Sequence, residues 1–149
     1  MTHTPPTTPK ATFGARVGAG VLALVLLSVL LVAAWLTPSP AGHGSHTALG
    51  MPPCGWVVAF NKPCPTCGMT TAFAHAARLE LWEAAKTQPM GFLLALMAAT
   101  AFWPAMFVAA TGSRVGMVYA TLFSPRTLWV LVALGAAAWA YKFVTWPGA

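Results

Sequence analysis

The chain has 149 residues, of which 58% are hydrophobic and only 7% are charged. Too few charges are present to cover the surface of a soluble globule of this size, so the lipid bilayer is the expected partner. The formal charge of +6 comes from eight basic residues against two acidic ones. The basic residues stand singly beside apolar runs and form no stripe, which argues against a nucleic-acid partner.

The first predicted element is a membrane-spanning helix over residues 17–36, an uncharged run long enough to cross a bilayer. The polar residues 1–16 before it are rich in Thr and Pro, which is typical of a disordered tail. A cleaved signal peptide is an alternative, because basic residues precede the run and small residues follow it. The run is longer than the usual cleaved core, which favours a retained helix.

Two further uncharged runs predict membrane-spanning helices over residues 90–110 and 128–144. Residues 37–89 are predicted to form a loop that holds the cysteine motif and short helices, and residues 111–127 an interfacial loop. The predicted fold class is therefore an all-α membrane protein. It has three transmembrane helices, with a cysteine-containing helical loop between the first and the second.

Within the long loop, residues 55–60 are apolar but too short to span a membrane, so we expect them to rest in the membrane interface with Trp56 as an anchor. A helix is predicted from Pro65 onward, because proline suits the first helical position and Cys64 would be its cap. A second short helix is predicted over about residues 81–86.

The orientation follows from the Lys and Arg residues beside the predicted spans, which number four on each side. Lys62 lies far from either span in a long loop, and long loops cross membranes with little regard to charge, which resolves the tie. We therefore expect a multi-pass protein of the cell inner membrane, with a cytoplasmic N-terminus and residues 37–89 outside.

The only concentrated chemistry lies around Cys54, Cys64 and Cys67. The two-residue gap between Cys64 and Cys67 lets both sulfurs face one centre, which serves either a disulfide or a metal ion. A helix that opens with this motif would direct backbone N–H groups at Cys64 and favour its thiolate. The same helix would carry further polar side chains on the face of the two sulfurs. These supporting candidates are Thr71, His75 and Arg78.

No cofactor is required by the sequence. Zinc or another thiophilic metal is an alternative to a disulfide, and a closed site would then need His43, His46 or His75 as a fourth ligand. Glu80 and Glu83 are the only carboxylate side chains, so paired-carboxylate catalysis and a Ser/His/Asp triad lack their parts. No catalytic residue is predicted, and a non-enzymatic role is favoured.

The stretch Cys-Pro-Thr-Cys-Gly-Met-Thr-Thr at residues 64–71, followed by Gln-Pro-Met-Gly at residues 88–91, resembles a group of bacterial membrane proteins. They form domain-of-unknown-function family 2752, with the pattern Cys-Pro-x-Cys-Gly-[Leu/Met]-Thr-[Arg/Thr] and then [Asn/Gln]-Pro-x-Gly. The resemblance covers about residues 54–110 and implies no established activity. Many members have Arg where this chain has Thr71, and a Gly-Asp turn where this chain has Arg-Leu-Glu at residues 78–80.

Two hypotheses follow for the function of this membrane protein. In the first, the cysteine site is structural and is held by a disulfide or a metal. In the second, the protein is a thiol–disulfide redox protein in which Cys64 attacks, Cys67 resolves and Cys54 is a further exchange partner. No recognisable redox domain surrounds the motif, which favours the structural hypothesis. The sequence does not identify a protein partner.

Overall fold

The computed structural model describes residues 11–113 and 124–146, which contain helices and no strand. A 3₁₀ helix lies at Ser45–Leu49. In chain order the α-helices are α1 (Phe13–Trp35), α2 (Gly55–Phe60), α3 (Met69–Ala77), α4 (Leu81–Thr87), α5 (Pro89–Thr111) and α6 (Pro125–Val144). Three of them, α1, α5 and α6, are long and apolar enough to cross a membrane. The cysteines lie between α1 and α5, which confirms the predicted fold class.

The long helices extend beyond the uncharged runs. Helix α1 begins at Phe13, so residues 13–16 are helical and do not belong to the predicted disordered tail. Helix α6 begins at Pro125, inside the segment predicted as an interfacial loop. The predicted spans stopped short of Arg16 and Arg126 because these residues are charged. A basic side chain at a helix end can reach the membrane surface, so both residues fit within the helices. Residues 1–10 of the predicted tail and residues 114–123 of the predicted interfacial loop lie outside the described residues.

Helices α1 and α5 pack as an antiparallel pair. The start of α1 lies beside the end of α5, where the Arg16 guanidinium donates to the carbonyl oxygens of Ala109 and Ala110 at 3.2 and 3.0 Å. These carbonyls belong to the last turn of α5, where intrahelical donors run out. Small side chains let two helices approach closely in lipid. The buried residues of the pair include Ala23, Ala33, Gly91, Ala95 and Ala105.

The segment between α1 and α5, residues 37–88, forms a cap over one end of this pair. A Cβ atom at Gly91 would lie 3.1 Å from the Cβ of Ala72 and 3.2 Å from the Cα of Met69, so α3 crosses the start of α5 in direct backbone contact. Arg78 donates to the carbonyl oxygen of Leu36 at 2.9 Å, just beyond the end of α1. The cap is thus bonded to both helices of the pair.

The last turns of α6 reach the same cap. The indole N–H of Trp139 donates to the carbonyl oxygen of Pro63 at 3.1 Å, and the Tyr141 hydroxyl donates to that of Lys86 at 3.2 Å. Since Lys86 lies just before α5, the C-terminal end of α6 meets the N-terminal end of α5. The three long helices therefore alternate in direction, and the cysteine segment gathers contacts from all of them.

Candidate functional site

The Cys-Pro-Thr-Cys-Gly segment forms a turn, and the prediction that it opens a helix is wrong. Helix α3 begins at Met69, and the N–H of Cys67 donates to the carbonyl oxygen of Cys64 at 3.0 Å. Gly68 precedes the helix with a φ of 86°, a left-handed conformation through which a right-handed helix cannot continue. Both cysteines therefore lie outside α3. The expected helix N-terminus at Cys64, and the shared helix face, do not exist.

Gly68 is required by space as well as by backbone conformation. A Cβ atom at this position would lie 2.7 Å from the carbonyl oxygen of Gly42 and 3.4 Å from Nζ of Lys142. The first distance is a clash with backbone. Glycine at position 68 therefore lets the linker after α1 and the end of α6 close onto the cysteine turn.

The three cysteines line one cleft of about 840 Å³, between the turn, α2 and the linker after α1. A hydrogen bond joins the side chains of Cys54 and Cys64. Cys67 is buried and lies close enough to both for its ionisation to be affected by theirs. The structure thus places all three cysteines at one cleft. Other lining residues are His43, His46, Thr66 and Thr70.

The environments of Cys54 and Cys67 differ in their effect on ionisation. A hydrogen bond from the Val57 N–H lowers the pKa of the Cys54 thiol, burial opposes this effect, and the contact with Cys64 adds to it. The pKa of Cys67 is raised to about 11, first by burial and then by the charges of Cys64 and Cys54. Cys54 therefore gives up its proton more readily than an ordinary cysteine, and Cys67 keeps its proton at neutral pH.

Lys142 is a site residue that sequence reasoning used only in the charge count. It is 5% exposed, and its ammonium donates to the carbonyl oxygens of Gly42 and Thr87 at 3.1 and 3.0 Å. Its charge also acts on Cys67, where it favours the thiolate. One feature of the sequence could have identified it: Lys142 is a single lysine near the end of an otherwise uncharged span. Ionisable groups within spans are costly and tend to be functional.

The three supporting candidates hold the cap together. The hydroxyl oxygens of Thr71 and Ser45 lie 2.8 Å apart, and both residues are buried. Nδ1 of His75 lies 2.6 Å from a carboxylate oxygen of Glu80, at the turn between α3 and α4. Arg78 donates to the carbonyl oxygen of Leu36, just beyond the end of α1. These bonds lie within the cap and reach the end of α1, and none of the three involves a cysteine.

The two halves of the family pattern meet through Gln88. Its side chain is fully buried, and its amide donates to the carbonyl oxygen of Pro65 at 3.2 Å. Together with the close approach at Gly91, this bond fixes the Cys-Pro-x-Cys-Gly turn on the first turn of α5. The sequence showed both patterns but gave no sign of their contact.

The donor set does not fit the predicted alternative of zinc or another thiophilic metal. Across residues 11–113 and 124–146, no group of three or more His, Cys, Asp or Glu side chains is placed to hold a metal ion. The proposed fourth ligands bond elsewhere: His43 contacts the carbonyl oxygen of Ala41 at 2.9 Å, and His46 that of Pro52 at 3.3 Å.

Fold and site together define a class: a helical protein with three candidate membrane spans and a cysteine-lined cleft at one end. Residues 54–103 match the family model described as Protein of unknown function (DUF2752). The match agrees with the resemblance noted in the sequence, over about a third of the chain. The matched region includes both halves of the contact between the cysteine turn and α5. No curated protein and no solved structure gives a significant match.

Proposed function

We propose that the protein is a multi-pass protein of the cell inner membrane in which a Cys54–Cys64 disulfide holds α2 over the cleft. The side-chain hydrogen bond between Cys54 and Cys64 carries the proposal, because the side chain of Cys67 acts on these two through charge alone. On oxidation the two thiols lose two protons and two electrons to a disulfide donor of an oxidising compartment. The role of the bridge is structural.

Helix α2 is short and exposed, so such a bond would help to hold it in place. None of its six residues is buried, and Trp56, Val58 and Phe60 are 47%, 71% and 66% exposed. A helix this short has little stability of its own. Its exposed apolar side chains suit contact with the lipid interface, with the tryptophan as anchor. A covalent bond at its first turn would keep it in place on the cap.

The stabilisation that a disulfide gives the folded protein also depends on which two cysteines it joins. A bridge between Cys54 and Cys64 closes a loop of about ten residues and contributes about 3 kcal/mol in the chain-entropy model. The Cys64–Cys67 pair already shares one backbone-bonded turn, so a bridge there would restrict the unfolded chain less.

The proposed disulfide is consistent with a cytoplasmic N-terminus and a cap outside, because disulfides persist in oxidising compartments. Arg78 and Lys142, which contributed to the tie in charge, bind backbone carbonyls of the protein itself. Reporter fusions at Gly50 and Gly116 should give opposite signals. The same signal from both would exclude this topology.

The structural role is tested with Cys54→Ser in the full chain, purified in detergent. Without reductant this variant should unfold more easily than the parent by about 3 kcal/mol. With reductant the difference should nearly vanish, because the parent then lacks the bridge as well. Cys67→Ser, in the same turn, is the matched control and should leave the response to reductant intact.

Mass spectrometry of the alkylated, unreduced protein should show a Cys54–Cys64 peptide. The structural role is contradicted if reductant leaves the unfolding free energy of the parent unchanged and its peptides show no such bridge.

A second candidate function is thiol–disulfide exchange with an outside substrate. It is favoured by the lowered pKa of Cys54 in an open cleft, since the thiolate is the attacking species. The sequence-based version assigned the attack to Cys64, whereas this observation points to Cys54. If Cys54 of the reduced protein reacts with iodoacetamide no faster than free cysteine at neutral pH, this candidate is excluded.

A further inference from the structure

Lys142 is a buried ammonium that has no carboxylate partner among residues 11–113 and 124–146. The chain contains two acidic side chains, Glu80 and Glu83. They pair with His75 and Lys86 at 2.6 and 3.1 Å. Lys142 bonds instead to two neutral carbonyl oxygens. A buried charge is costly unless an opposite charge lies near it, so this position calls for an anion.

The acidic group that faces Lys142 is the thiol of Cys67. The lysine charge favours the Cys67 thiolate, and Nζ lies against Gly68, the next residue in the chain. Ionised Cys54 or Cys64 would oppose ionisation of Cys67. A disulfide between Cys54 and Cys64 carries no charge, so its formation removes this opposition. The attraction of Lys142 is then set against burial of the Cys67 thiol alone, and the thiolate is easier to form than in the reduced site.

We propose, resting on the Cys54–Cys64 disulfide proposed above, that Lys142 is a positioning residue that stabilises the Cys67 thiolate for attack on this bridge at Cys64. The Cys67 thiol first releases its proton to water in the cleft. Its sulfur then forms a bond to the Cys64 sulfur, while the Cys64–Cys54 bond breaks and its electron pair leaves on Cys54. Because one disulfide replaces another, no oxidant is consumed.

Cys54 is suited to be the leaving group. Its sulfur accepts a hydrogen bond from the Val57 N–H, which stabilises negative charge there, and a leaving thiolate of lower pKa departs faster. The thiolate afterwards takes a proton from water, which balances the proton lost by Cys67. The shift frees α2 from its covalent bond and leaves a Cys64–Cys67 bridge within the turn. The site would thus alternate between a clamped and a released α2.

The test follows the appearance of a free Cys54 thiol in the oxidised full-length protein in detergent. Iodoacetamide traps each released thiol, and mass spectrometry counts labelled Cys54 against time. Lys142→Met should slow labelling about tenfold or more, which corresponds to a change of about one pKa unit at Cys67. Lys142→Arg keeps the charge and should retain most of the rate. Lys62→Met, which removes an exposed lysine from the same cap, is the matched control and should label like the parent.

The outcomes separate the two proposals. If no Cys54–Cys64 bridge is present in the oxidised parent, the structural role itself fails. If the bridge is present but labelling of Cys54 is the same in the parent and Lys142→Met, or persists in Cys67→Ser, only the role of Lys142 and Cys67 is overturned. Thermal melting checks that each variant folds. Should Lys142→Met not fold, Lys142→Gln replaces it, since its amide can still donate to a carbonyl but carries no charge.

Discussion

The two ends of the α1–α5 pair are held in different ways. At the start of α1, the exposed side chain of Arg16 donates hydrogen bonds to carbonyl oxygens in the last turn of α5. At the other end, the cap buries Ser45, Thr71, Gln88 and Lys142. Buried polar groups destabilise a protein unless they are bonded, so they persist where a specific geometry is maintained. Among the described residues, the cysteine end therefore has the more closely defined geometry of the two.

The bonds at the cap end converge on the cysteine turn. Gln88 holds the carbonyl of Pro65, and Trp139 holds that of Pro63. Lys142 fastens the linker at Gly42 beside Gly68. Long-range contacts from α5 and α6 thus meet around a turn of five residues. A change at this turn should therefore cost more than a similar change elsewhere on the spans.

The largest effect is expected from Gly91→Leu. A side chain here would meet Ala72 and the backbone of Met69, at 3.1 and 3.2 Å from its first atom, and would push α3 away from α5. Overpacking of this kind costs about 3 kcal/mol or more where backbone must move. Thermal unfolding in detergent should show a large drop, and Gln88 should lose its bond to Pro65.

Gly135→Leu is the matched control, because it makes the same change in a candidate span where a Cβ would meet nothing within 4 Å. It should unfold close to the parent. Equal losses from both substitutions would mean that the cap is no more tightly specified than the rest of the spans.

An intermediate effect is expected from Cys67 at alkaline pH with reductant present. Its pKa is about 11 in the folded protein against 9.0 for the unperturbed group. Below pH 9 both states keep the proton; between pH 9 and pH 11 the unfolded chain loses it first, so stability falls as pH rises. The loss should reach about 2 kcal/mol near the upper limit.

Cys67→Ala should remove this part of the alkaline loss, as measured by the difference in unfolding free energy between parent and variant across that range. Cys54→Ala is the control, since the pKa of Cys54 is shifted in the opposite direction. If Cys67→Ala follows the parent at every pH, burial of the thiol contributes nothing measurable.

The sequence was sufficient for the long helices, and the three cysteines that it singled out line one cleft. Uncharged runs mark spans directly, because bilayer thickness fixes the length of apolar helix that must cross it. The short helix at residues 81–86 also lies within α4. The start of α3 was missed because Gly68 was treated as a weak helix former, although its left-handed conformation stops the helix.

The site could be predicted less well, because its bonds join residues distant in sequence. The bond from Lys142 to Gly42 links residues 100 positions apart, and no local pattern indicates such a partner. Thr71, His75 and Arg78 were grouped by helical spacing with the sulfurs, whereas their hydrogen bonds lie within the cap and to the end of α1. Periodicity predicts which residues share a face, but not what that face meets.

The smallest expected effect concerns the turn between α3 and α4, at the edge of the cap. Leu79 has a φ of 63° and is 82% exposed, so a branched apolar residue occupies a left-handed position without packing to compensate. This is where the resembling family often has a Gly-Asp turn. The conformation costs an L-residue about 1 kcal/mol or more, while glycine adds flexibility to the unfolded chain that offsets part of the gain. Leu79→Gly should therefore stabilise the protein by up to about 1 kcal/mol in thermal unfolding.

Leu79→Ala is the control, because it keeps the Cβ atom and should change the stability little. If both variants are less stable than the parent, the leucine side chain holds the cap through contacts that outweigh its backbone strain.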